Sequence, residues 1–187
     1  MPPKARITKE MVIEAGLKIV RTEGYEALNV RRVAGELACS TQPVMYHYKT
    51  VDDLKADVYA AADELHTKYL FSATGAKTSM GLAYIRFAYE EKHLFRFLFQ
   101  SGKFRNTNLH DLIYADELAP VIQSFCQNTG LCEDMAKEAF EMVFLCIHGA
   151  ASMLANNEME YDEEHYAKLI ENTLTGIVGV LKGKENK

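Results

Sequence analysis

The chain lacks most of the signatures that would assign it to an enzyme, a secreted domain or a membrane protein. Its four cysteines, Cys39, Cys126, Cys132 and Cys146, are irregularly spaced and contain no paired Cys-x-x-Cys, so neither a disulfide framework nor a zinc site is indicated. They read as reduced core residues. There is no run of about 18 consecutive apolar residues, and MPPKARITKE leads into an amphipathic stretch rather than a signal-peptide core, which implies a cytoplasmic protein with no membrane partner. A nucleophile elbow, a glycine-rich phosphate loop and a Ser, His and Asp order are also missing. No catalytic residue, cofactor or metal is therefore expected. Glu158, Glu160, Asp162, Glu163 and Glu164 beside His165 lack the repeated Glu-x-x-His of a di-iron bundle, and residues 162–164 are better explained as acidic groups favouring a helix N-terminus.

What is present is a helical pattern. The 187 residues are 48% hydrophobic, enough for a sizeable core. Thr8 is positioned to cap a helix running to about Glu23, with Val12, Ala15, Ile19 and Val20 as its apolar stripe and Gly24 as its stop. A fourth helix is predicted from near Asp52 through Leu54, Val58, Ala61, Leu65 and Tyr69, ending before 72–78. Further helices are expected over about 79–99 with a break near Lys92 and His93, over 109–128 with a kink at Pro120, and over 133–156 and 162–182. No strand and no internal repeat is expected. The net charge of −5 argues against a protein that coats nucleic acid by bulk electrostatics. Its distribution is uneven: through Leu54 there are eight Lys and Arg against seven Asp and Glu, and the remainder is acidic.

The run NVRRVAGELACSTQPVMYHYKTVDDL, residues 29–54, has the layout of a helix-turn-helix. Asn29 is a good N-cap for a short helix carrying Val33, Ala34 and Leu37 on one face. After a tight connection at Ala38 and Cys39, Ser40 or Thr41 caps a second helix. It turns Val44 and Met45 inward and leaves Gln42, Tyr46 and His47 outside. Pro43 falls in the first turn, where its missing N–H costs nothing. Tyr46, His47, Tyr48 and Lys49, with Arg31 and Arg32 nearby, form a polar aromatic and basic group suited to phosphate contact at a major-groove edge.

In this stretch the chain resembles the TetR family of transcriptional regulators. The likeness lies in the helix ending at Gly24, Val33-Ala34, Leu37, Ser40, the His47-aromatic pair, Lys49-Thr50 and Leu54. Arg86-Phe87-Ala88 through Leu94-Phe95-Arg96, and FLCIHG at 144–149, are similar to the C-terminal domain of the subgroup named for a Trp-His-Gly signature, with Phe144 in the place of the Trp. His148 and Gly149 are read as a core histidine and a glycine that lets two helices approach. Three positions depart from the family pattern. Ala38 replaces the usual turn Gly, Met45 a phosphate-binding Tyr, and Val51 a Lys.

The resemblance implies an all-α fold of about nine helices. Residues 1–52 would form a three-helix helix-turn-helix DNA-binding domain and residues 53–187 a helical ligand-binding and dimerisation domain. It implies a homodimer on a palindromic double-stranded DNA operator, with recognition helices about one DNA turn apart, roughly 34 to 36 Å. Thr41, Gln42 and Pro43, after Ser40, would meet base edges. Asn29, Tyr46, His47, Lys49 and Thr50 would hold phosphates, and Lys4 and Arg6 would follow the minor groove. A largely apolar small-molecule effector would be lined by Tyr84, Phe87, Phe95, Phe99, Tyr114, Phe125 and Met142, with His93 and His110 as polar extras, and the helix around Phe71 would carry its signal. Phe140, Val143, Phe144, Ile147, Ala150 and Ala151, with Leu169, Leu174, Ile177, Val178 and Leu181, offer an apolar dimer surface or complete the monomer core. The rival reading is a helical sensor that acts through a protein partner without specific DNA binding.

Overall fold

The computed structural model describes residues 7–73, 79–102, 108–109, 111 and 114–185. Among these the chain is all-helical, with nine α-helices and no strand. They are α1 (Lys9–Glu23), α2 (Val30–Glu36), α3 (Thr41–His47), α4 (Val51–Ser72), α5 (Ser79–Glu90), α6 (Lys92–Gln100), α7 (Ala119–Thr129), α8 (Glu133–Asn156) and α9 (Glu163–Glu185). Lys4, Arg6 and His110, and the connection at 74–78, lie outside the described residues.

Two compact units are present, Met1–Tyr69 with Glu91–Lys103, and Leu70–Glu90 with Phe104–Lys187. This division differs from the boundary expected after residue 52. Burial explains it: Leu54, Val58, Ala62 and His66 of α4 lie inside the first unit, and α6 packs on α1 there through Leu94, Phe95, Phe97 and Leu98.

In the first unit, α1 begins where the Thr8 side chain accepts from the Met11 N–H at 3.3 Å and ends at Gly24, whose φ of 92° suits glycine. Val12, Ile19 and Val20 are fully buried. Gly16 is needed for close approach, because a Cβ there would stand 2.5 Å from Val58 Cγ2 of α4. The α2 helix starts at Asn29, whose Oδ1 accepts from the Arg32 N–H at 3.0 Å. It ends in a Schellman turn, with Cys39 N–H donating to the Ala34 carbonyl at 2.9 Å and Ala38 N–H to Gly35 at 3.1 Å. Ala38 has φ 49°, the left-handed conformation that the absent glycine would have adopted without a Cβ penalty.

The second unit is built around α8, packed by α5, α7 and α9. Its core includes Phe87, Ala139, Val143, Ala151, Leu154 and Leu181. Pro120 does not kink a longer helix; it occupies the first turn of α7, where it lacks no bond. The α5–α6 break falls at Glu91, beside the expected position. Gly130, at φ 70°, separates α7 from α8. The Asp162 side chain caps α9 by accepting from the His165 N–H at 3.0 Å, as the acidic run suggested. The cysteines are all free. Cys39, Cys126 and Cys146 are half-buried, while Cys132 is exposed at the N-cap of α8, contrary to the core role expected for it.

Two predictions follow from this packing. Ala38 is exposed, so Ala38→Gly removes the left-handed strain without opening a cavity, and urea unfolding should show a gain of about 0.5 to 1 kcal/mol. His66 is buried with its ring edge-on to Phe99 at 5.3 Å, and burial holds its pKa down at about 4 against an ordinary 6.5. Below pH 6.5 the unfolded chain takes up a proton that the folded chain refuses. Stability is therefore full above that value and falls as pH drops toward 4. Between pH 8 and pH 5 the loss from this group should be about 2 kcal/mol, and His66→Leu should flatten that part of the profile.

Candidate functional site

The connection between α2 and α3 sets which side chains of α3 face outward. Val44 is fully buried, and Tyr48, one turn further on, is 2% exposed. With those two fixed inside, the helical repeat leaves Thr41, Gln42, Met45 and Tyr46 on the outside. Tyr46 is 79% exposed, its ring edge-on to His47 at 5.4 Å. Ser40 precedes the helix, exposed and with no side-chain capping bond, while Pro43 is half-buried. Met45 is 43% exposed and does not turn inward as expected.

Not every residue expected on this surface is available to a ligand. Arg32 donates from Nε and Nη2 to the Glu23 carboxylate, at 2.6 Å for the closest pair, and from Nη2 to Glu36 at 3.2 Å. Lys18 also pairs with Glu36 at 2.5 Å. The guanidinium thus ties α2 to the end of α1. The hydrogen bond from Arg32 also holds the Glu23 carboxyl below its ordinary pKa. Arg31 is exposed and has no hydrogen bond or ion pair among the described residues.

Asn29 spends both ends of its amide, Oδ1 on the α2 cap and Nδ2 in donating to the Ala27 carbonyl at 3.0 Å. His47 is half-buried with Nε2 3.0 Å from the Ile7 carbonyl. A carbonyl oxygen only accepts, so that bond places a proton on Nε2 and commits this side of the ring to the chain before α1. Thr50 closes a capping box at the start of α4. Its Oγ1 accepts from the Asp53 N–H and Asp53 Oδ2 accepts from the Thr50 N–H, each at 3.1 Å, so the hydroxyl hydrogen is still free to donate outward. Lys49 is exposed.

Tyr48 was expected among the surface aromatics. It instead donates its hydroxyl to Asp57 Oδ2 at 2.9 Å, and the same carboxylate pairs with Lys9 at 2.5 Å, whose ammonium lies 5.5 Å from the Tyr48 ring centre. Burial and the Asp57 charge push the Tyr48 phenol up, and Lys9 with Tyr48 holds Asp57 down. Lys9 and Asp57 were missed from the sequence. Tyr48 could have been found, because it falls four residues after Val44. A cleft of about 350 Å³ runs beside this group, lined by Lys9, His47, Tyr48, Lys49, Asp53, Ala56 and Asp57.

The seven residues expected around an effector fall in both units, and each group is described within its own unit. Phe95 and Phe99 belong to the first unit, in ring contact at 4.9 Å. In the second unit Tyr84 and Phe87 are buried, Phe125 is half-buried against Leu131, Ala136, Ala139 and Leu181, and Tyr114 and Met142 are exposed. The surface of Tyr84, Phe87 and Phe125 is used as core. His148, with its pKa lowered by burial, is 2.8 Å from the Tyr84 hydroxyl through Nδ1 and stacks on Phe144 at 5.6 Å. It is half-buried, beside the core rather than enclosed in it as read. Gly149 is not a packing glycine within the chain, since nothing lies within 4 Å of the position its Cβ would take.

Comparison with protein-family models, curated proteins and solved structures gave no match. The outward set is therefore defined by geometry alone: Arg31, Ser40, Thr41, Gln42, Tyr46, Lys49 and the Thr50 hydroxyl. It combines two cations, several hydroxyls and one carboxamide on a short ridge whose underside is fixed by Val44 and Tyr48.

Proposed function

We propose that the protein is a ligand-responsive, DNA-binding transcriptional regulator of the TetR type, a repressor that binds a palindromic operator as a homodimer and is released by a small molecule. The outward row of Thr41, Gln42 and Tyr46 on α3 is the observation that carries the reading. A helix that projects hydrogen-bonding side chains from a buried base is what entry into a major groove requires. Gln42 is the base reader, through bidentate pairing of its amide with adenine N6 and N7. Arg31, Tyr46, Lys49 and Thr50 hold phosphates and set register. Arg32 is assigned to bracing α2, because its charge is already spent on Glu23 and Glu36.

The dimer is assigned to an outward stripe of α8 and α9. Met142, Leu145, Gly149 and Met153 repeat at helical spacing, and Met142, Leu145 and Met153 are exposed large apolar groups. The facing part of α9 adds Val180, 63% exposed, and Gly176, which together with Met142, Ile177, Leu181 and Lys184 line an apolar groove of about 210 Å³. Val143, Ile147, Ala151 and Leu181, expected as either interface or core, are buried in the protomer. By length and composition α8 is also apolar enough to cross a membrane, with a mean hydropathy of 1.3 over 18 residues. A second copy accounts better for open glycines set beside methionine and leucine, since such notches and knobs fit a two-fold mate.

Selection from a random DNA pool should enrich a palindrome, and Gln42→Ala should relax preference at one adenine per half-site by about 1 to 3 kcal/mol. Lys49→Ala should lower the slope of log K against log salt by roughly two per dimer, while Arg32→Ala leaves it unchanged. Failure to enrich any site, with only weak salt-sensitive binding, would favour the sensor that acts through a protein partner. A second measurement addresses the dimer. Val180→Glu with Met142→Glu should convert the protein to a folded monomer in analytical ultracentrifugation and weaken operator binding at least tenfold. A parent that is already monomeric at micromolar concentration would refute the assignment.

A further inference from the structure

In the first unit, the large apolar side chains left exposed among the described residues are Met45 at 43%, Tyr46 at 79% and Val51 at 38%. All three come from seven consecutive residues at the outer end of the α3 ridge. Elsewhere in the unit such side chains are packed away, so this clustering marks a surface that something covers. Tyr46 has a hydroxyl to offer water or phosphate. Met45 has nothing comparable, because a thioether accepts hydrogen bonds only weakly.

Position tells what Met45 meets. It lies three residues after Gln42 and four after Thr41, one turn along the same face of α3. A side chain there approaches the same partner surface as Gln42, about one base step away. In the major groove, the four bases present hydrogen-bonding edges and one methyl group, the C5-methyl of thymine. An unbranched, polarizable side chain fits that methyl by dispersion and desolvation and gains nothing from the polar edges.

Resting on the DNA reading proposed above, we infer that Met45 is a specificity-determining residue that seats against a thymine C5-methyl in each operator half-site. It follows that Met45 supplies the apolar part of a two-residue reading, adenine by Gln42 and a neighbouring thymine by its methyl.

The test uses the parent protein and the palindrome selected from the random pool, resynthesised with deoxyuridine in place of thymidine at one symmetric pair of positions at a time. Removing the methyl changes no hydrogen bond. At one such pair the parent should lose about fourfold in affinity per half-site, roughly fifteenfold for the dimer. Met45→Ala should bind the thymine and uracil forms of that site equally, and Met45→Leu should keep most of the discrimination. Because the side chain is exposed, neither variant endangers the fold, which a circular dichroism melt will confirm. Parent binding that is indifferent to every thymine-to-uracil exchange overturns the inference while leaving the DNA reading intact. So does a Met45→Ala variant that keeps the parent's sensitivity. A pool that yields no site overturns both together.

Discussion

The turn from α2 into α3 hangs on a pair of backbone hydrogen bonds, Cys39 to Ala34 and Ala38 to Gly35, and on an alanine held at φ 49°. The outward side chains of α3 are placed by that turn, because it decides which side of the helix Val44 and Tyr48 present to the core. Left-handed alanine costs about 1 to 2 kcal/mol, whereas fully burying one side chain of the size of valine contributes about 1.5 kcal/mol or more. Val33 and Val44, both fully buried on either side of the turn, are enough to hold the strained residue in place. The strain thus belongs to the price of a fixed α3.

Charge pairing then thins the cations on this part of the chain. Lys9 is held by Asp57, Lys18 and Arg32 by Glu36, Arg32 again by Glu23, and Arg21 by Glu91. These bridges are mostly exposed, and each is worth little in stability. Their consequence is orientation. They keep long basic side chains lying along α1 and α2 and, among the described residues, leave Arg31 and Lys49 exposed near α3. On the proposed DNA reading, cations already paired in this way add little to counterion release, and Gln42 would carry the sequence preference.

Much of the helical plan was legible because it is written in local chemistry. Thr8 and Asn29 cap the helices they were expected to cap, Asp162 sits at the N-terminus where the acidic run was placed, Gly24 stops α1, and Ala38 takes the positive φ that the turn demands of the residue in the glycine's place. Periodicity over a two-turn helix was weaker. It put Met45 inside and Tyr48 outside, and the structure exchanges them, since in seven residues the choice between adjacent positions is settled by what α1 and α4 offer. Pairings across the chain left no local trace: Arg32 with Glu23, His47 with Ile7 and Tyr48 with Asp57 withdraw polar groups that sequence placed on the surface. The aromatic residues proposed for an effector were legible as a hydrophobic stripe, but a stripe does not distinguish a cavity wall from a filled core.

The helix around Phe71, expected to carry a ligand signal, is the last part of α4, whose residues belong to the first unit up to Tyr69 and to the second from Leu70. The chain crosses twice more, at 90/91 and 103/104, and the segment between those crossings is α6. That helix is fastened to the end of α1 in several ways. Arg21 holds the Glu91 carboxylate, Tyr25 stacks on Phe97 at 6.0 Å, and His93 lies against Gly24, while the Tyr59 hydroxyl of α4 donates to the Leu98 carbonyl at 3.0 Å. The opposite end of α1 follows Ile7, whose carbonyl is bonded to His47 at the last turn of α3. A rigid 15-residue helix, about 22 Å long, therefore joins α6 to the candidate reading surface. A displacement of α6 is therefore passed along α1 within the first unit to the end that bonds α3. Because α4 carries the Tyr59 contact and the Val58 packing against Gly16, it resists or follows the same displacement, which makes α1, α4 and α6 one mechanical element rather than three alternative paths.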